Sequence, residues 1–77
     1  MENFLEAIKT NMLNRAILQE HRTLKLRDRC ISQNKNPKDI TLFMLYVGEL
    51  IGMTYMLEDV GMKEETKQFD WILSYVI

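Results

Sequence analysis

Residues 40–57 read ITLFMLYVGELIGMTYML, and Glu49 is the only charged side chain among them. Apolar residues from Leu42 through Leu57 fall at nearly every angle of a helical wheel, with no polar face left over. A helix that is apolar all round is either the centre of a bundle or inside a membrane. The stretch just reaches the length needed to cross a bilayer. Against that reading stand the interior carboxylate of Glu49, the hydroxyls of Thr41, Tyr46 and Thr54, and the acidic pair Glu58-Asp59 beside its end. The expectation is therefore a central helix with apolar surface to spare for a neighbour, and a small single-span membrane protein is the lesser alternative.

Helix signals bracket this stretch on both sides. Upstream, Gln33-Asn34-Lys35-Asn36-Pro37 is a polar turn in which Asn36 can cap, Pro37 suits the first helical position and Asp39 places favourable charge in the first turn. Downstream, Gly61 can take the left-handed conformation that ends a helix, and Lys63-Glu64-Glu65 opens another. Before the first turn, Leu5, Ile8, Met12, Ala16, Leu26 and Cys30 cluster at helical spacing, with Leu13, Ile17, Leu24 and Ile31 as an adjoining stripe. The sequence thus predicts an all-α protein of one domain, 1–77: an antiparallel helical hairpin plus a third, C-terminal helix, with helices at about 2–33, 37–60 and 63–76 and a dimeric bundle as the assembled form. The first helix outruns the second, so its overhang is covered by another element or removed by a bend near His21 to Thr23. In the third, Phe69, Ile72, Leu73 and Val76 are expected to close the core, with Trp71 and Tyr75 on a neighbouring face. The apolar ending Val76-Ile77 is expected to pack down.

Size points to the same need for a neighbour. A chain of 77 residues folds with a surface of about 5,000 Å² and buries only about 60% of what it exposes when unfolded, so domains this small usually carry a staple. Cys30 is the only cysteine, which excludes an intrachain disulfide and suits a reducing compartment. His21 is the only histidine, and no cluster has zinc or EF-hand spacing. No structural metal or cofactor is expected, and self-association remains by elimination. The opening MENFLEAIKT lacks a basic start followed by an apolar run, so it does not read as a signal peptide, and the expected location is cytoplasmic.

Charge is segregated although the net value is −1. Residues 1–38 hold eight Lys/Arg and four Asp/Glu, a balance of +4; residues 39–77 hold two and seven, a balance of −5. Within the basic half, Arg15, Arg22 and Arg29 recur every seven residues, forming a narrow ridge flanked by Lys25 that could meet an acidic protein surface or phosphates. Nucleic acid is the second reading, weakened by the acidic overall balance and by the lack of aromatic residues along the ridge. A hairpin turning at residues 34–36 sets Arg22 level with Glu49, a candidate buried ion pair. Gly48 and Gly52 share one helical face where another backbone can approach. With Leu50, Met53, Met56, Trp71 and Tyr75 they form the candidate dimer or packing seam.

Groups with catalytic potential are isolated. Cys30 lies on the apolar side of the first helix, with His21 on the opposite side; Ser32 and Ser74 lack a nucleophile-elbow context, and no Gly-rich phosphate loop occurs. The five methionines after the first suit core packing or an adaptable binding surface. The functional expectation is non-enzymatic: a small protein–protein interaction module, a regulator or inhibitor of a larger unidentified protein, acting as a homodimer.

Overall fold

The computed structural model describes residues 2–77, and every regular element among them is helical. Helix α1 spans Glu2–Ser32, α2 spans Thr41–Asp59 and α3 is a single turn, Lys63–Thr66. 3₁₀ segments occupy Pro37–Asp39, a single turn, and Lys67–Tyr75, nine residues long. Helices α1 and α2 form the expected antiparallel hairpin, and the C-terminal segment folds back along it. The molecule measures 50 × 21 × 17 Å, its long axis set by α1, whose 31 residues extend about 46 Å. Helix α1 runs without a break through His21 to Thr23, where the Thr23 hydroxyl donates to the Gln19 carbonyl one turn back, at 2.7 Å.

Both ends of the hairpin are made by the same backbone device. At the end of α1, Lys35 N–H donates to the Cys30 carbonyl and Asn34 N–H to that of Ile31, with Asn34 at φ 58°. At the end of α2, Met62 N–H donates to Leu57 and Gly61 N–H to Glu58, with Gly61 at φ 89°. These paired bonds are Schellman motifs, which satisfy the last helical carbonyls and need a left-handed residue just beyond the helix. Gly61 is the usual solution; Asn34 is the less common one, tolerated because its side chain is short and polar.

Two boundaries differ from the sequence reading. Asn36 does cap, its Oδ1 accepting from Lys38 N–H at 3.1 Å, but the turn it opens closes after three residues. Ile40 is extended (φ −98°, ψ 111°), and its half-buried side chain packs on the core, so α2 starts at Thr41 and not at residue 37. The third helix is α-helical for one turn only. Thr66, Phe69, Ile72 and Tyr75 recur every three residues, and three residues per turn stacks them into one ridge, whereas an α-helix would rotate each about 60° from the last. Thr66, Phe69 and Ile72 are buried and Tyr75 is half-buried. Burial of that ridge offsets the poorer hydrogen-bond geometry of so long a 3₁₀ run. Leu73 and Val76, expected in the core, consequently face outward, and Ile77 is 94% exposed and does not pack down.

The core joins Phe43, Val47, Leu50 and Leu57 of α2 to Phe69 and Ile72, with Ala16 letting α1 approach closely. Gln19 is buried beside Thr23, and its amide nitrogen has no partner among the described residues. Such an unmet donor costs about 1–3 kcal/mol.

The two caps make opposite predictions. Gly61→Ala should destabilise the protein by about 1–2 kcal/mol, because the added Cβ disfavours positive φ, whereas Asn34→Gly should stabilise it by about 0.5–1 kcal/mol. Urea unfolding monitored by circular dichroism measures both; equal effects of one sign would mean the left-handed caps are not as described.

Candidate interaction surface

Hairpin register brings the basic ridge against α2. Arg22, Lys25 and Arg29 surround a hollow of about 200 Å³ whose apolar lining is Leu26, Leu42 and Tyr46. One helical stage further along, Arg15 and Met12 line a second hollow of about 180 Å³ with Met53 and Met56. Arg15, Arg22, Lys25 and Arg29 are all exposed, and none has a carboxylate within 4.0 Å among the described residues. The ridge expected from the seven-residue spacing therefore borders the α1–α2 seam as a line of uncompensated cations.

Beside it lies the outward face of α2. Leu45, Tyr55 and Met56 are each about 60% exposed, and Leu42 is nearly half exposed. Gly48 and Gly52 lie between them, and a Cβ built on either would meet no atom within 4 Å. Neither α1 nor the C-terminal segment uses the glycine face for close packing. Toward the N-terminus, α1 runs past the end of α2, leaving Phe4, Leu5 and Ile8 exposed on the overhang. The total surface, 5561 Å², exceeds the value expected for a chain this size by roughly 600 Å².

The candidate seam divides into two sets. Leu50 is fully buried in the chain's own core, and Trp71 and Tyr75 also pack internally. Tyr75 meets the edge of Phe43 with ring centroids 4.9 Å apart, and Trp71 meets Tyr75 at 6.2 Å. Only Gly48, Gly52 and Met56 face outward; half-buried Met53 lies between the two sets. The buried Glu49–Arg22 ion pair is not formed. Both residues are exposed, because Glu49 falls on the outward face of α2 and Arg22 on the outer flank of α1.

One polar cluster was absent from the sequence reading. Trp71 Nε1–H donates to Glu20 Oε2 at 2.8 Å, and the Arg27 guanidinium lies 5.5 Å from the indole centroid. Glu20 and Arg27, seven residues apart on α1, thus clasp the C-terminal segment. The available signal was the indole N–H, which needs an acceptor when its ring is packed. A third hollow, about 130 Å³, lies between α2 and the C-terminal segment, with Glu58 and Asp70 among its lining. Among the described residues, no three His, Cys, Asp or Glu side chains converge as a metal-binding set. No helix among them is long and apolar enough to cross a membrane, which removes the single-span alternative's candidate helix.

The fold is thus an all-α hairpin with a docked C-terminal segment, carrying an apolar strip and a cationic ridge side by side. Compared with protein-family models, with curated proteins and with solved structures, the chain matches none of them.

The Trp71 clasp is testable by a double-mutant cycle. Trp71→Phe and Glu20→Ala should each cost about 1–2 kcal/mol in urea unfolding, and the double variant should cost less than their sum. Full additivity would mean the indole–carboxylate bond contributes nothing.

Proposed function

We propose that this chain is a small non-enzymatic protein–protein interaction module, a regulator or inhibitor of a larger protein, that works as a homodimer. The observation carrying this reading is the outward face of α2, where Leu42, Leu45, Tyr55 and Met56 stand exposed around two uncovered glycines and the single carboxylate of Glu49. Isolated exposed apolar residues are ordinary, but four of them on one face of one helix mark a contact surface. A single chain of this length has too few elements to wrap α2 on every side, and a second copy supplies the missing layer.

The four unpaired cations beside the strip suit an acidic protein surface, which would be drawn in by long-range attraction and then held by apolar contact. Nucleic acid is the competing occupant of the same ridge, distinguished by a steep loss of affinity with salt. A reducing intracellular setting, such as the cytoplasm, accords with Cys30, a free and buried thiol.

Sedimentation at micromolar concentration should give a particle of about twice the chain mass, and a concentration-independent monomer would contradict the homodimer. Two substitutions separate core from contact surface. Leu50→Asp should unfold the chain, whereas Leu45→Asp should leave helicity nearly intact and yield monomer. Equal loss of helicity from both would mean that α2's outward face is part of the fold's own core.

A further inference from the structure

We infer that the seam between α1 and α2 docks an acidic amphipathic helix of a partner protein, with one apolar anchor in each of its two hollows and carboxylates against the cationic ridge. This rests on the protein-interaction reading, names the partner's chemistry and holds for either oligomeric state. Both hollows lie on the same flank of the hairpin. Arg22, Lys25 and Arg29 surround the first, whose apolar wall is Leu26, Leu42 and Tyr46. Arg15 borders the second, walled by Met12, Met53 and Met56. Their centres lie about 16–18 Å apart along the helix axes. Glu6, Glu20 and Asp28 of α1 are engaged with Lys9, Trp71 and Arg27, away from the seam. Between the first and last turns of α2 the only acidic residue is Glu49, which sits on the adjoining outward face and lines neither hollow. Four cations therefore stand along the seam beside one carboxylate.

The chemistry of the hollows decides what fills them. Unpaired guanidinium and ammonium groups favour negative charge, and walls of leucine, tyrosine and methionine favour apolar side chains. A nucleic-acid backbone brings the first without the second. Half-buried Tyr46 is the only aromatic residue lining either hollow, too little for a platform of stacked bases. A peptide with carboxylates beside apolar side chains brings both. Backbone bonding then favours the helical form. The N–H and C=O groups of α1 and α2 are spent within their own helices, so an extended segment in the seam would leave its peptide groups unmet, while a helix satisfies its own. Spacing agrees with this. Residues eleven apart on a helix are separated by about 16.5 Å and only about 20° out of line, so one face presents both anchors. Three cations surround the hollow near the hairpin turn and one borders the other, so the partner helix carries its denser acidic end beside Arg29.

The probe is a blocked, stapled helical peptide of about 18 residues, with two leucines eleven apart, glutamates three and four residues from each leucine, and alanine elsewhere. Titration calorimetry should show it binding the full chain, more weakly as salt is added, and replacing either leucine with serine should weaken binding by about tenfold or more. Arg22→Glu with Arg29→Glu alters two exposed sites, so circular dichroism should be unchanged. That variant should lose the glutamate peptide by about tenfold or more and gain a matching peptide with lysine in place of glutamate. Absence of binding to the wild-type chain, or binding indifferent to both leucines, overturns the docking. So does a DNA duplex bound more tightly than the peptide at equal salt, which would assign the seam to nucleic acid, or self-association abolished by the double variant, which would assign it to a second copy. A monomer that binds the peptide as described contradicts the homodimer and supports the docking; a dimer that ignores the peptide overturns the docking alone.

Discussion

A helix that is apolar on all sides must be covered on all sides, and in this chain only one side of α2 is. Phe43, Val47, Leu50 and Leu57 turn toward α1 and the C-terminal segment and are fully enclosed. That contact organises everything else: α1 offers Ala16 so that the helices can approach, the 3₁₀ run aligns Phe69 and Ile72 over α2, and the two Schellman turns set the antiparallel path. The opposite side exposes Leu45, Tyr55 and Met56 beside two glycines and Glu49, and no other element of the chain covers it. The same physical preference that folds the hairpin therefore acts, unsatisfied, at its surface.

Polar groups are placed so as to leave that surface free. The Trp71–Glu20–Arg27 clasp holds the C-terminal segment on one flank of α1, while the cations Arg15, Arg22 and Arg29 line the other, next to the uncovered strip. Ion pairing among the described residues is confined to neighbours in sequence, Glu6 with Lys9, Arg27 with Asp28 and Glu64 with Lys67, all partly or largely exposed and so of small energetic weight. The ridge cations take part in none of these pairs.

Sequence patterning carried the helical class, the hairpin, its register and the cationic ridge, because these depend on periodicity and on strong local signals such as Asn36-Pro37 and Gly61. What it misjudged depended on competition between local and tertiary preferences. Ile40 is drawn onto the core and delays α2 to Thr41; the every-third-residue ridge from Thr66 to Tyr75 overrides α-helical geometry and turns Leu73 and Val76 outward. Glu49 looked like a buried ion-pair partner because its neighbours are apolar, yet Leu45 and Gly52, which share its face of α2, are themselves at the surface. Leu50, Trp71 and Tyr75 could not be separated from Gly48, Gly52 and Met56 without knowing which flank of α2 the C-terminal segment occupies. Arg27 and Glu20 gave no signal until the indole of Trp71 was placed.

The central claim is that a second chain lies against the outward face of α2. Isotope-filtered nuclear Overhauser spectroscopy on a mixture of labelled and unlabelled protein reads this most directly, since it records only contacts between chains. The account predicts interchain cross-peaks between the Leu45 methyls and the Tyr55 ring. A spectrum at high concentration without interchain cross-peaks to any α2 residue would contradict it.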